Sequence, residues 1–260
     1  MVGGSLDNLW GKMINAIWSY NNGSQGARLL ARALGIRFIK KIRSRFPWGR
    51  NQTVLNWGTG KIPDRSNSRI INSPDSVAIA RNKLSTFREL RRLGRVRIPE
   101  FTTCPQEALG WLRTGSVCCR GTVTGHEGIG LSIVPRGSEA LPRVPLYVKY
   151  IRKASEWRVH IITGEAIHVQ QKVRQRDAPE AGNTQIRNTA NGYVFTSQRQ
   201  APGDVVEQSV SAIQDLGLDI GAVDVVWNEY YQQAYVLEVN TAPGIEGITV
   251  EKYAEALRRI

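Results

Sequence analysis

Short apolar runs and one amphipathic stretch organise the first hundred residues. Apolar, β-branched runs predict strands, and a period of about 3.6 residues between Ser24 and Gly35 predicts a helix. The predicted strands cover residues 14–19, 36–39, 53–57 and 69–72. Because strands separated by a helix favour parallel pairing, we expect a small α/β lobe with a parallel sheet. Residues 1–12 are weakly patterned, and we expect them to be an extension.

A long basic helix is predicted next, over residues 75–93. A Ser-Pro pair before it is a helix start signal, and Gly94 is a stop signal. A strand at residues 98–103 and a short helix at residues 105–112 are predicted after it.

The pattern becomes rich in strands from Ser116 onwards. The predicted strands cover residues 117–120, 129–134, 146–151, 158–162 and 167–172. A glycine-bearing stretch at residues 121–130 joins the first two, and its backbone N–H groups suit phosphate oxygens, although glycine turns are common in ordinary hairpins. A polar segment at 177–190 and a helix at 205–216 precede the last hairpin, and a basic helix at 250–260 follows it.

Two apolar, β-branched runs separated by Asn-Glu-Tyr-Tyr-Gln-Gln predict that last hairpin. Asp224 lies on its first strand, while Glu238 and Asn240 lie two residues apart on the second and so face the same side of the sheet. An unpaired carboxylate in an apolar setting costs several kcal/mol, so these oxygen donors favour a hard divalent cation such as Mg²⁺. The alternative is an exposed sheet face with ordinary surface acids.

The composition, with 41% hydrophobic and 22% charged residues among 260, is typical of a soluble globular protein. No apolar run approaches the roughly 18 residues needed to cross a bilayer, and the start of the chain has no secretory pattern. We therefore expect a cytoplasmic protein without a membrane partner. Cys104, Cys118 and Cys119 predict buried reduced thiols rather than disulfides or a metal site.

The charge is strongly basic and unevenly placed. The chain has 35 Lys and Arg against 22 Asp and Glu, a net charge of +13. Eight basic residues and no acid lie between Arg28 and Arg50, and a second basic cluster covers residues 81–97. Such a surface attracts nucleotide, nucleic acid or an acidic polypeptide, or else it is a solvated face that serves solubility.

Two segments of the last hairpin resemble a known family. They are Gly-Ala-Val-Asp-Val, which contains Asp224, and Leu-Glu-Val-Asn-Thr-Ala-Pro-Gly-Ile-Glu-Gly, which begins at Leu237. Both are similar to segments of the ATP-grasp enzymes, and within them of the RimK-type carboxylate–amine ligases and related phage-encoded ATP-grasp proteins. The resemblance covers roughly residues 72–247. For a phage-encoded protein, the expected cytoplasm is that of the host.

The resemblance implies an α/β (α+β) ATP-grasp fold with three lobes. These are an N-terminal Rossmann-like pre-ATP-grasp lobe at residues 13–103, a central lobe with the glycine-rich loop at 104–151, and a C-terminal lobe with the metal site at 152–260. The two α+β lobes would grip ATP between them.

The resemblance further implies ATP and Mg²⁺, or Mn²⁺ in its place, as cofactors. Nucleotide-binding roles are implied for Lys83, Arg120, His126, Lys149, Tyr150, Ile151, Glu156 and Lys172. The family usually has a lysine at the end of the strand before the glycine loop, where this chain has Arg120. Because Arg keeps its charge and can contact phosphate in bidentate fashion, we expect phosphate binding to survive the change. The backbone of residues 149–151 is expected to hydrogen-bond adenine.

Catalytic and metal-binding roles are implied in the same way. Arg158, Arg187 and Asn188 resemble residues that contact the γ-phosphate or the acyl phosphate, and Asp224, Glu238 and Asn240 resemble the magnesium ligands. The competing interpretations are an exposed helical lysine for Lys83, an exposed loop histidine for His126 and a salt-bridged surface arginine for Arg187.

The implied reaction is an ATP-dependent ligation. A substrate carboxylate attacks the γ-phosphate of ATP to give an acyl phosphate and ADP, and an amine then displaces phosphate to form an amide. The carboxylate and the amine are unidentified, and an amino acid or a peptide is expected. Two alternatives are a kinase on the same fold and a nucleic-acid-binding protein on an ATP-grasp scaffold, in which Phe38, Phe46 and Trp48 would stack bases beside the basic residues.

Overall fold

A computed structural model describes residues 13–40, 44–63, 67–124, 130–178 and 184–260. The strands are β1 Ala16–Ser19, β2 Arg37–Ile39, β3 Thr53–Trp57, β4 Arg69–Ile71, β5 Phe101–Thr102, β6 Val117–Arg120, β7 Leu131–Val134, β8 Leu146–Lys149, β9 Ser155–Ile162, β10 Glu165–Arg174, β11 Tyr193–Thr196, β12 Ile220–Asn228 and β13 Gln233–Asn240. The helices are α1 Gln25–Leu34, α2 Pro74–Ala80, α3 Lys83–Leu93, α4 Pro105–Trp111, α5 Gly203–Asp215 and α6 Ile248–Leu257. None of these helices has the length and apolar character that a membrane span requires.

The chain divides into two compact units, Met1–Ala78 with Thr241–Ile260, and Ile79–Asn240. The first unit contains a four-stranded sheet with the order β2-β1-β3-β4, in which every pair is parallel. β1 and β3 are buried along their whole length, as continuous apolar runs predict for the middle of a parallel sheet. The expected parallel sheet is therefore confirmed.

Helix α1 shows why the sequence forms this unit as predicted. The Ser24 hydroxyl accepts a hydrogen bond from the Ala27 N–H at the start of the helix. Gly35 ends the helix with a φ of 68°, a left-handed conformation that glycine adopts without steric cost. Helix α6 packs against α1, and the Tyr253 ring lies edge-on to Trp57 at 5.8 Å between centroids.

An aromatic cluster packs around β1 in the same unit. Trp18 and Phe46 are buried there, and the Trp48 ring lies edge-on to both, with centroids 5.4 and 5.0 Å away. The Phe46 ring is therefore part of the core, which corrects the expectation that it would stack bases, while the half-buried Trp48 ring packs against that core. The third ring, Phe38, is half-buried and lies 5.5 Å below the Arg28 guanidinium.

Two antiparallel sheets form the second unit. One has the order β5-β8-β6-β7 and the other β11-β10-β9-β12-β13. Helix α5 packs closely on the larger sheet because β12 has Gly221 beneath it, where an added Cβ would lie 2.6 Å from the Ile213 side chain. Since side chains alternate along a strand, Val223 shares the α5 face and Asp224 lies on the opposite face.

The helix predicted over residues 75–93 is instead two helices, α2 and α3. Asn82 starts the second one, because its side-chain oxygen accepts a hydrogen bond from the Ser85 N–H at 3.1 Å and satisfies a donor of the new first turn. The apolar period continues across the break, so the pattern alone predicts one helix.

Other differences are smaller. Strand β11, which pairs with β10, was absent from the predicted pattern because its four residues follow a long polar segment. All three cysteines are free: Cys119 is buried, Cys118 is half-buried, and Cys104 is exposed, so the prediction of burial is wrong for Cys104.

The boundary between the units, after Ala78, differs from the predicted lobe boundary after residue 103. Helix α6 also belongs to the first unit, whereas the predicted C-terminal lobe continues to residue 260. Both sheets of the predicted central and C-terminal lobes lie in the second unit, and the division between those two lobes stays a prediction.

Candidate active site

A row of charged side chains crosses the five-stranded sheet on the face opposite α5. The register places Asp224 between Arg158 of β9 and Glu238 of β13, and directly paired residues share one face. Asn240 pairs with Ala222, two residues from Asp224 on the same face. The structure therefore brings the three predicted metal ligands and Arg158 together.

A β-bulge in β13 aligns the two carboxylates. Val225 pairs with Val236, but the next pair is Asp224 with Glu238, so Leu237 is an extra residue. In an unbroken ladder Leu237 would oppose Asp224, and Glu238 would point towards α5. With Leu237 in the chain, the pairing of Glu238 with Asp224 therefore depends on the bulge, which leaves Leu237 out of the ladder.

Arg158 and Asp224 form a bidentate ion pair. The Nε and terminal nitrogens of Arg158 donate to the two Asp224 oxygens at 2.7 and 2.8 Å. Burial favours the neutral carboxyl, but the Arg158 charge outweighs it and holds the pKa of Asp224 below its usual value. Burial also opposes the charged guanidinium, and Asp224 more than offsets it, so the pKa of Arg158 is raised. Both groups are charged at neutral pH.

Lys83 reaches this row from helix α3. Its Nζ lies 3.0 Å from an oxygen of Glu238, and its side chain is 9% exposed. The backbone N–H of Lys83, the first residue of α3, donates to the Val123 carbonyl at 2.8 Å. The lysine is thus fixed between the start of the glycine-bearing stretch and the acidic hairpin.

Glu156 holds a second group of cations at the start of β9. One of its oxygens accepts from Lys172 at 2.5 Å, and the other accepts from Lys153 at 2.8 Å. Sequence reasoning missed Lys153, because it lies in the connection between β8 and β9, where no periodic pattern applies. Its position three residues before Glu156 was the only available signal.

Strand β11 adds an aromatic ring that the sequence analysis also missed. The Phe195 ring centroid lies 4.5 Å from the Arg158 guanidinium and 5.3 Å from Lys172 Nζ. Phe195 pairs with Lys172 across the two strands. The ring supports both cations while leaving their N–H groups available to other acceptors.

Three predicted ligand-binding residues have buried N–H groups without a partner among the residues that the structure describes. They are the Nε atoms of Arg120 and Arg187 and the Nδ2 atom of Asn240. An unsatisfied buried donor costs about 1–3 kcal/mol, so these three donors fit a ligand that supplies acceptor oxygens. The other end of Arg187 donates to the Ala154 carbonyl at 3.4 Å.

Two half-buried side chains lie close to these cations. Burial raises the pKa of Cys118 to about 11, against the opposing charges of Arg120 and Lys153. Burial also raises the pKa of Tyr150, in a field to which Arg187 contributes. The thiol and the phenol are therefore neutral at physiological pH.

Two histidines extend the polar face. His160 pairs with Ala222 and with His168, the His160 Nε2 lies 2.9 Å from the Gln170 amide oxygen, and the two imidazole rings are stacked with centroids 5.8 Å apart. Burial lowers the pKa of His160 to about 3, so this imidazole is neutral at physiological pH. The sequence analysis did not single out either residue.

Other predicted site residues have different surroundings. Lys149 pairs through its side chain with Glu100 at 2.8 Å. The backbone N–H groups of Lys149 and Tyr150 already donate to the carbonyls of Glu100 and Ser116. Of the three residues predicted to contact adenine, only Ile151 has an N–H without a backbone partner within the described ranges.

Asn188 and His126 are the last two predicted residues. The Asn188 side chain accepts from the Asn191 N–H at 3.0 Å and caps a short 3-10 turn. The described contacts therefore give Asn188 a local structural role. His126 lies outside the described residues.

The carboxylates fit Mg²⁺ only together with a phosphate ligand. Asp224, Glu238 and Asn240 offer two carboxylates and an amide, and the described part of the chain has no group of three or more His, Cys, Asp or Glu that could hold a metal by itself. Mg²⁺ is normally held by one or two carboxylates and completes its shell with phosphates and water. The donor set matches that mode of binding.

Comparisons with known proteins bear on the fold that carries this site. No protein-family model matches the sequence, and no curated protein matches it. The solved structure of the ATP-grasp ligase PsnB with a minimal precursor is similar, with a TM-score of 0.68, 13% identity, and coverage of 95% of this chain and 99% of that chain. A D-alanine–D-alanine ligase from Bacillus anthracis matches with a TM-score of 0.65 at 13% identity, over 96% of this chain and 93% of that one.

A third similar structure is the macrocyclase MdnC from Microcystis aeruginosa MRC, bound with the precursor peptide MdnA. Its TM-score is 0.62 at 16% identity, over 95% of this chain and 100% of that chain. The predicted ATP-grasp fold is thus confirmed, since the chain has the fold of the ATP-grasp ligases. The Rossmann-like character of the N-terminal lobe stays a prediction.

Proposed function

We propose that the protein is an ATP-dependent carboxylate–amine ligase that uses Mg²⁺. Buried cations, buried acids and three unsatisfied donors lie on one polar region of the second unit, and this arrangement carries the proposal. PsnB has been solved with Mg and ADP, and the Bacillus anthracis ligase with ATP. The same ligands suit the charges of this site.

The side chains divide into two roles. Lys83, Arg120, Lys172 and Arg187 offset the charge of the phosphates, since phosphoryl transfer needs positioning and charge neutralisation more than covalent help. Asp224, Glu238 and Asn240 would hold Mg²⁺, which when bound neutralises charge on the β- and γ-phosphates. The charged Arg158 is positioned to contact a phosphate or an acyl phosphate.

The reaction has two steps. An oxygen of the substrate carboxylate bonds to the γ-phosphorus while the bond to the β-phosphate oxygen breaks and ADP leaves. The amine nitrogen then bonds to the acyl carbon, the carbon–oxygen bond to phosphate breaks, and the nitrogen loses a proton. PsnB and MdnC are solved with precursor peptides, and on this basis we propose a peptide or an amino acid as a substrate of this chain.

Removal of the acidic hairpin side chains tests the metal role. We expect Glu238→Ala and Asn240→Ala each to reduce ADP release by at least about 100-fold, because the Mg²⁺ that neutralises the phosphates is then held less well. The circular dichroism spectrum should stay unchanged. The assay would use MgATP with a panel of amino acids and acidic peptides. Glu165→Ala, which removes an exposed carboxylate from the same sheet, is the matched control and should keep full activity. Unchanged ADP release from Glu238→Ala would contradict the metal role.

Hydroxylamine separates the ligase from a kinase. An acyl phosphate reacts with hydroxylamine to give a hydroxamate, whereas a phosphorylated hydroxyl does not. We expect a hydroxamate to form in proportion to ADP when the carboxylate substrate, MgATP and hydroxylamine are mixed. ADP release with a stable phosphorylated product would favour the kinase.

A further inference from the structure

Glu156 binds two ammonium groups with one carboxylate. The side chains of Glu156, Lys153 and Lys172 are 7%, 9% and 12% exposed. The other buried acids of the site, Asp224 and Glu238, each have their own cation. Among the described residues, the group around Glu156 therefore contains one positive charge more than its acid can balance.

The neighbouring polar groups do not remove this excess. Cys118 responds to the charge of Lys153, but burial keeps its thiol protonated at physiological pH. Tyr150 lies in the field of Glu156, and burial likewise keeps its phenol protonated. A buried charge without a counterion is costly, so the second ammonium fits a site that receives an anion.

The location of Lys153 is defined by the backbone. The N–H of the next residue, Ala154, donates to the Trp227 carbonyl at 2.9 Å and anchors the connection between β8 and β9 to β12. The same thiol of Cys118 responds to Arg120 at the end of β6 and to Lys153. Lys153 thus acts on the same thiol as Arg120, the residue that this chain has where a lysine was expected.

We propose that Lys153 is a further phosphate-binding residue, which Glu156 holds beside Lys172 so that two ammonium groups contact one anionic group of the nucleotide. This rests on the proposed nucleotide-dependent function. One lysine would be enough to neutralise Glu156, and a second buried lysine adds little stability, because desolvation offsets its attraction to the acid. Its contribution is positive charge for a ligand.

A binding measurement tests the role of Lys153. We expect Lys153→Met to weaken MgADP binding about 10- to 100-fold by isothermal titration calorimetry, the range for loss of one charge-assisted hydrogen bond. Lys153→Arg should recover most of the affinity. Arg152→Met removes the same charge from the adjacent exposed side chain and should bind like the unmodified protein.

Urea unfolding without nucleotide separates this role from a structural one. Lys153→Met leaves Glu156 and Lys172 as a balanced pair, so we expect stability to be equal or higher. Lower stability with unchanged MgADP affinity would show that Lys153 is only a structural ion-pair partner and would overturn the proposal.

Inorganic triphosphate distinguishes failure of this proposal from failure of the proposed function. Triphosphate binding that depends on Lys153, in a protein that does not bind ADP, would support the anion site and contradict the ATP-dependent ligase. ADP binding that is insensitive to Lys153→Met would contradict the role of Lys153 alone. A protein that binds neither ligand would overturn both.

Discussion

Burial of His160 makes the free energy of unfolding depend on pH. Its pKa is about 3 in the folded protein because of burial, against an ordinary value of about 6.5. Between these two values the unfolded chain binds a proton that the folded protein does not, so the free energy of unfolding falls as the pH falls. The slope from one such group is at most about 1.4 kcal/mol per pH unit.

We expect the free energy of unfolding to decrease from pH 7 to pH 5 and this decrease to be smaller in His160→Gln. Urea denaturation at several pH values gives the slope for each protein. Asp224 also favours the folded state only while it is ionised, but its pKa is already lowered from an acidic value, so its loss occurs at lower pH. Identical slopes in the two proteins between pH 7 and pH 5 would contradict the role of His160.

At the residue scale, the sequence predicted that Glu238 and Asn240 share one face near Asp224, and the strand register confirms that placement. Asp224, Glu238 and Asn240 were found because carboxylates and an amide in an apolar hairpin need a partner. Lys153 was not predicted, since a spacing of three residues from Glu156 outside any periodic element is too weak a signal that the two side chains meet. The binding roles of all four residues remain predictions.

At the scale of elements, the break at Asn82 determines how Lys83 enters the site. The Asn82 side chain caps α3, and Lys83 is the first residue of that helix. A helix cap of this type contributes about 1 kcal/mol, and its loss lets the first turn fray.

We expect Asn82→Ala to reduce stability by about 1 kcal/mol and to weaken MgADP binding several-fold, because Lys83 loses its fixed position. Asn82→Ser retains a capping oxygen and should restore both properties. Urea unfolding and calorimetric titration provide the two measurements. Equal behaviour of the Ala and Ser variants would show that the cap does not position Lys83.

Most elements could be predicted from period and turn signals, and the exceptions have physical causes. The pattern between Pro74 and Leu93 continues in phase through Asn82, so the change from one helix to the next depends on a side-chain hydrogen bond that no period reveals. Strand β11 has four residues and is defined by pairing with β10, a contact that depends on tertiary structure.

At the scale of the whole molecule, the positive charge is concentrated in the first unit. Residues 1–78 and 241–260 contain 15 Lys and Arg against 6 Asp and Glu, a net charge of +9, while the larger second unit carries the remaining +4 of the total +13. We therefore expect polyanions to be attracted mainly to the first unit.

We expect DNA to bind the protein through charge alone, with affinity that falls steeply as salt increases and does not depend on ATP. Arg28 and Arg32 are exposed one turn apart on α1, and their joint replacement by Glu should weaken binding at low salt by about tenfold or more. Fluorescence anisotropy with single- and double-stranded oligonucleotides measures both effects.

Joint replacement of Arg88 and Arg113 by Glu changes the net charge equally on exposed positions of the second unit and should have a smaller effect. Equal losses in both double variants would show that only the total charge matters. Because Phe46 is buried and Trp48 is packed against the core, we expect these two rings to give little preference for single strands.

The extra residue Leu237 has a consequence for redesign of this hairpin. Leu237 lies between two stretches of the hairpin whose pairing registers differ by one residue. Substitutions on the turn side of Leu237 therefore leave the pairing of Asp224 with Glu238 unchanged. A designer who forced the hairpin into an unbroken ladder while keeping Leu237 paired would keep every acid in the chain and still turn Glu238 into the hydrophobic layer. Deleting Leu237 would have the opposite outcome, because Glu238 would then follow Val236 directly and still oppose Asp224.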